Sequence, residues 1–108
     1  ACREVEGVLR DFDGIEEVAL IAVPDDLRGE EVKAYVMLQD AQNPDADLVA
    51  RIIAYASQRL ASFKLPRYFE FIADMPRTTS FKVAKSDLQK ARTDHRMGSF
   101  DRVDQIWR

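Results

Sequence analysis

Val5, Val8, Leu9 and Phe12 recur at i, i+3, i+4 and i+7, which lays one apolar face along a helix over residues 3–12. Asp13-Gly14 ends it, because glycine accepts the left-handed conformation that closes a helix. Residues 15–23 are β-branched and apolar and stop at Pro24-Asp25-Asp26, the pattern of a buried strand. A polar stretch containing Gly29 predicts a loop over 25–31. Val32, Ala34, Val36 and Leu38 then alternate with Lys33, Tyr35, Met37 and Gln39, predicting a second, half-exposed strand. The short link between the two favours antiparallel pairing.

Residues 40–47 carry Pro44 and read as a connection, with Asp45 or Asp47 available to cap the next helix. Leu48, Val49, Ile52, Ile53, Ala56 and Leu60 form the apolar face of that long helix, over 46–61. Ser62-Phe63-Lys64-Leu65-Pro66 breaks it, and the aromatic, β-branched residues 67–73 predict a third strand. Residues 78–83 read as a polar loop or tight hairpin. Ser86 with Gln89 has the spacing of a capping box, opening a short helix around Leu88. Beyond Arg92 the chain turns polar and irregular apart from Phe100, Ile106 and Trp107. The order helix, strand, strand, long helix, strand, short helix is α+β. Its economical architecture is a small, mostly antiparallel three-stranded sheet covered by helices.

Composition narrows the function classes. The 108 residues suit one domain, and 46% hydrophobic content is too high for disorder. Sixteen basic against nineteen acidic residues give a net charge of −3, which argues against nucleic acid as a partner. No apolar run approaches a membrane span, and the charged opening residues do not read as a secretory signal. The single Cys2 excludes an internal disulfide and a multi-cysteine metal site, in keeping with a cytoplasmic setting. The chain opens on Ala1-Cys2-Arg3, without methionine and directly into a helical pattern, so a piece of a longer protein is expected.

Few residues carry chemistry. His95 has no histidine or cysteine cluster around it in sequence and reads as a solvated loop residue. Cys2 reads as a bystander, and Glu16-Glu17 and Glu30-Glu31 as solvated acidic positions. Neither a nucleophilic triad nor a glycine-rich phosphate loop is present, and no metal ligands are assigned. One stretch stands apart: Pro76-Arg77-Thr78-Thr79-Ser80-Phe81-Lys82-Val83-Ala84-Lys85. A lysine in a hydroxyl-rich loop offers a point charge with three donors to a phosphate or carboxylate.

Five segments, in order, resemble the C-terminal domain of the adenylate-forming enzymes, which include acyl-CoA synthetases, peptide-synthetase adenylation domains and luciferases. Glu4-Val5-Glu6-Gly7-Val8-Leu9 resembles the family's EVE-x-VL opening helix. Residues 18–25 with Arg28-Gly29-Glu30 resemble its AVVGVPD…RGE segment, and Val32-Lys33-Ala34-Tyr35-Val36 its VKAFV. Phe63-Lys64-Leu65-Pro66-Arg67 resembles YK-x-PR, and Met75-Pro76-Arg77-Thr78 leading to Lys82 resembles LPRT-x-x-GK. The resemblance covers about residues 3–92, leaving 93–108 as a C-terminal tail.

The resemblance implies a mobile lid (residues 1–92) on a larger N-terminal adenylation domain that binds ATP, Mg and the acyl group. It implies two half-reactions: a carboxylic acid and ATP give acyl-AMP and pyrophosphate, then the thiol of CoA displaces AMP. It makes Lys82 the catalytic lysine of the first step. Arg28, Arg59 and Lys64 are candidates for binding CoA in the second. Arg67 and Arg77 are expected to brace strand and turn. A fatty-acid or carnitine-type CoA ligase is the leading reading, and the isolated fragment should be inactive. A peptide-synthetase lid serving a carrier protein, or a non-catalytic interaction module, are the alternatives. Two positions depart from the family pattern. Phe12-Asp13 stands where His-Pro is usual, and Phe81 replaces the glycine before the lysine, a residue that tolerates positive φ.

Overall fold

The computed structural model describes residues 2–39 and 43–108; of the expected connection over 40–47, positions 40–42 lie outside the described residues. Helix α1 (Cys2–Arg10) leads into β1 (Ile15–Asp25) and β2 (Gly29–Leu38). Helix α2 (Ala46–Ser57) and a single 3-10 turn (Ser62–Lys64) precede β3 (Tyr68–Phe71), and α3 (Lys85–Lys90) comes next. Two short strands, β4 (Phe100–Asp101) and β5 (Ile106–Trp107), end the chain. The fold is α+β, as the residue pattern implies.

The sheet has five strands in the order β1-β2-β3-β4-β5, so the three-stranded expectation needs correcting. Pairing is antiparallel except between β2 and β3, which the crossover through α2 makes parallel. The two additional strands come from the segment read as an irregular tail. Each is two residues long, too short to show any alternation.

The β1–β2 link is tighter than the loop expected over 25–31. Asp25 pairs with Gly29, and the Asp25 carboxylate accepts the backbone N–H groups of Leu27 (3.1 Å) and Arg28 (2.8 Å). Gly29 supplies φ 78. An aspartate folding its own turn and a glycine at positive φ together close a short hairpin.

Each face of the sheet is covered. Val18, Leu20, Ala34, Val36 and Phe69 pack against Val5 and Leu9 of α1 and Leu48, Val49, Ile52 and Ala56 of α2. Asp45 caps α2 by accepting the Leu48 N–H at 2.9 Å. On the opposite face Ala19, Ile21 and Tyr35 pack with Met75 and with Leu88 of α3. The face of β2 read as half exposed is therefore closed at Lys33 and Tyr35, which are 0% and 2% exposed.

Helix α3 begins differently from the capping-box expectation. Ala84 is its N-cap and gives no side-chain cap, while Ser86 lies inside the helix. The backbone sets the start: the Ala84 N–H donates to Pro76 O at 2.8 Å, so the preceding hairpin fixes where the helix begins. Among the described residues no helix is long and apolar enough to cross a membrane.

Candidate functional site

The segment 76–83 folds as a hairpin closed by an antiparallel bridge between Arg77 and Val83. Thr78 N–H donates to Lys82 O (2.7 Å), and Phe81 N–H donates to Thr78 O (2.9 Å). This is the bond pattern of a three-residue hairpin loop whose last residue is left-handed. That residue is Phe81, at φ 63. The geometry gives a reason for glycine at this position in the family pattern: the turn needs positive φ immediately before the lysine. Phe81 adopts it without being glycine, at a conformational cost of about 1–2 kcal/mol.

Side chains stiffen the hairpin. Thr78 Oγ1 accepts the Lys82 N–H at 3.2 Å and lies 3.1 Å from Ser80 Oγ. The Arg77 guanidinium bridges Phe81 O and Glu17 Oε2, both at 3.4 Å, tying the hairpin to the start of β1. Glu17 also accepts Arg10 Nε at 2.8 Å and the Val18 N–H at 3.0 Å. Burial alone would raise the Glu17 carboxyl, but the Val18 N–H and the Arg10 guanidinium outweigh it and hold it below the usual carboxylate range.

Two of the hairpin's basic neighbours are committed to carboxylates. Arg77 pairs with Glu17, and Lys85 pairs with Glu6 at 2.7 Å. Glu6 in turn accepts the Leu20 N–H of β1 at 2.9 Å. Lys82 stands exposed between them and enters no ion pair among the described residues.

The other basic candidates do not gather around Lys82. Arg28 lies in the β1–β2 turn, at the far end of β1 from the Glu17 anchor. From position 17 to position 25 the strand advances roughly 26 Å. The Arg28 side chain is 64% exposed and approaches Glu31 only at 3.6 Å. Arg59 stacks on the Tyr55 ring at 3.7 Å and donates to Tyr55 O at 2.9 Å. Lys64 meets Glu4 at 2.6 Å. Among the described residues none of the three bonds to Lys82: Arg28 is loosely paired with Glu31, Arg59 is held by Tyr55 and Lys64 by Glu4. Among the described residues no group of three or more His, Cys, Asp or Glu is placed to hold a metal ion. Cys2 is exposed and unbridged.

A second polar centre lies in the covered face of the sheet. Lys33 Nζ donates to Glu70 Oε1 and to His95 O, each at 2.6 Å. Arg92 grips the same carboxylate with Nε at 3.1 Å and a terminal nitrogen at 2.9 Å. Burial pushes the Lys33 ammonium below the usual lysine range despite its contact with Glu70. Burial would raise Glu70, but Arg92 and Lys33 override it and lower its pKa. His95 is not the solvated loop residue expected: its Nδ1 is buried without a hydrogen-bond partner among the described residues, and its carbonyl holds Lys33.

Beside this centre, Arg67 meets both oxygens of the fully buried Asp101 at 3.0 Å, and Arg108 adds contacts at 3.0 and 2.9 Å. Alternation alone concealed this wiring. The one signal in the sequence was that Lys33 shares its face of β2 with Tyr35 and Met37, side chains that need covering.

The sequence model of the AMP-binding enzyme C-terminal domain matches residues 4–82. The crotonobetaine/carnitine–CoA ligase of Proteus mirabilis is 38% identical over 89 residues, covering 82% of this chain and 17% of the ligase. The long-chain-fatty-acid–CoA ligase of Bacillus subtilis is 36% identical over 93 residues, covering 86% of this chain and 16% of that enzyme. The crystal structure of a Brucella canis acyl-CoA synthetase superposes with a TM-score of 0.78 at 31% identity, over 83% of this chain and 17% of the synthetase. The chain therefore spans about a sixth of the length of these relatives.

Proposed function

This chain belongs to the AMP-binding enzyme C-terminal domain family, and from that membership we propose that it is the lid of an AMP-forming acyl-CoA synthetase, with Lys82 as its adenylation lysine. The observation that carries the reading is the state of Lys82. It sits on a braced hairpin with its ammonium exposed, while Arg77 and Lys85 are held by Glu17 and Glu6.

In the first half-reaction a carboxylate oxygen attacks the α-phosphorus of ATP, giving acyl-AMP and releasing pyrophosphate. Lys82 orients the carboxylate and offsets the charge that develops at phosphorus. The hairpin bonds between Thr78, Phe81 and Lys82 fix the backbone from which it reaches. The fixed backbone leaves only the Lys82 side chain to settle on the reacting groups. ATP, Mg and the acyl pocket belong to a larger N-terminal domain of the parent protein in this reading, and no step is assigned to a metal held by this chain.

In the second half-reaction the thiol of CoA attacks the acyl carbon and AMP leaves. Arg28 is the leading contact for CoA phosphate, because its guanidinium is largely solvated and only loosely paired with Glu31. Arg59 and Lys64 would each first have to leave Tyr55 or Glu4. The distance along β1 between Lys82 and Arg28 suits a lid that turns between steps and presents one end at a time. The acyl group is a fatty or carnitine-like acid by similarity to the ligases above, and the reading places the enzyme in the cytoplasm.

The test uses the full-length parent protein. Acid-dependent ATP–pyrophosphate exchange is compared in wild type and Lys82→Ala, and preformed acyl-AMP is then supplied with CoA. The expected result is loss of exchange by two or more orders of magnitude, on the order of 3 kcal/mol of transition-state stabilisation. Thioester formation from acyl-AMP should survive. Equal exchange in both proteins overturns the assignment of Lys82. Exchange without CoA thioester would instead indicate a carrier-protein acceptor, and no exchange with any acid a non-catalytic module.

A further inference from the structure

Phe81 combines two features that the rest of the chain does not reward. Its backbone is held at φ 63, a conformation that suits glycine, and the residue is 83% exposed. Its neighbours in the loop, Thr79 and Ser80, are small, polar and exposed, so the ring gains no packing from them. Met75 and Val83, the apolar residues flanking the hairpin, are turned into the second core cluster instead. The hairpin's hydrogen bonds hold this backbone whatever the side chain, so they do not explain why an exposed aromatic residue stands there, and that points to a role outside the fold.

The position of the ring narrows that role. Adjacent Cα atoms are about 3.8 Å apart, so lid closure that carries Lys82 to the reacting groups also carries the Phe81 backbone to the edge of the same cleft. A lysine that meets a carboxylate leaves the carbon skeleton of the acid as the apolar surface closest to it. An exposed aromatic ring gains free energy by covering such a surface and gains nothing from an acid too short to offer one.

We propose that Phe81 is a specificity-determining residue whose ring forms an apolar wall of the acyl site when the lid is closed for adenylation. It favours carboxylic acids with extended apolar chains over short ones. This rests on the assignment of Lys82 above and adds the substrate class that the lid itself selects. Glycine at this position would carry the lysine equally well and leave the wall open.

The experiment measures kcat/KM for ATP–pyrophosphate exchange in the full-length parent, using straight-chain saturated acids from acetate to decanoate. Wild type, Phe81→Gly, Phe81→Leu and Lys82→Ala are compared. Phe81→Gly should lower the long-to-short ratio of kcat/KM roughly tenfold, the scale of a few buried methylenes. Phe81→Leu should restore part of that ratio, because an apolar side chain returns. A Phe81→Gly ratio equal to that of wild type overturns the proposal, as does a loss uniform across chain lengths. If either occurs while Lys82→Ala abolishes exchange for every acid, the wall is refuted and the lid reading stands. If Lys82→Ala matches wild type, both fall together.

Discussion

Lys33 Nζ lies 2.6 Å from Glu70 Oε1 with its side chain wholly out of solvent. The two residues come from the parallel strands β2 and β3, where Glu70 registers with Tyr35, two positions beyond Lys33. Arg92 reaches the same carboxylate from the segment after α3, and the carbonyls of His95 and Met97 cap the ammonium. One carboxylate thus joins two strands to the polypeptide that runs on to β4. A buried ammonium keeps its charge only beside such a counter-ion.

That dependence gives the first prediction. Glu70→Gln keeps the shape of the side chain and removes its charge, leaving Lys33 and Arg92 facing each other without compensation. Breaking one side of a buried pair costs about 3–5 kcal/mol. Urea unfolding should register that loss, and limited proteolysis should open residues 93–108 before the core. A cost below about 1 kcal/mol would show that the cluster is ornamental to stability.

Asp101 predicts an acid limb to the stability curve. Burial alone would raise its carboxyl, but Arg67, the Asp104 N–H and Arg108 together bring it from 3.8 down to about 2. A carboxyl with a depressed native pKa favours the folded state wherever it is ionised in both states. Its contribution is therefore complete above roughly pH 5 and is lost as pH falls through 3.8 toward about 2. Asp94 is likewise lowered to about 2 by Arg96, but that pair is solvated on the surface and contributes little. Urea midpoints measured from pH 7 to pH 2 should fall steeply across this window in wild type. In Asp101→Asn the curve should start lower and run flatter. Parallel curves for the two proteins would remove Asp101 as the source.

The elements that periodicity announced are present because their burial is one-sided and regular. The α1 face Val5 and Leu9, the α2 face Leu48, Val49, Ile52 and Ala56, and the apolar half of β2, Ala34 and Val36, all lie in the core, while the half of β2 read as exposed is covered as well. The resemblance also located the Lys82 hairpin, and the turn geometry explains its glycine position. What the sequence concealed is held by charge. Lys33 falls on the polar half of an alternating pattern, and only a segment more than sixty residues later encloses it. β4 and β5 are held by Phe100, which is buried in the first core cluster and stacks on Trp107, and by Asp101, which gathers Arg67 and Arg108; such contacts between distant positions leave no periodic trace. The capping-box spacing at Ser86 misled for a related reason: Pro76 O, eight positions before Ala84, sets where α3 begins.

Phe81→Gly should move stability and selectivity in opposite directions. The hairpin requires a left-handed residue before Lys82, and Phe81 meets that requirement at φ 63 with its ring in solvent. Glycine relieves the steric crowding at Cβ, worth about 1–2 kcal/mol. It gives part of that back through the greater freedom of the unfolded chain. Because a residue 83% exposed contributes little packing to the native state, the balance favours the variant. A gain of about 0.5–1 kcal/mol is expected, which thermal unfolding would read as a rise of roughly 2–6 °C for a domain of this size. A fall in Tm would mean that the ring is packed in solution and that its strain is repaid inside the fold. The ring would then have its role inside the fold. A rise in Tm together with a collapse in chain-length discrimination would mean that this chain retains an unfavourable backbone conformation for the sake of the ring it presents beside Lys82.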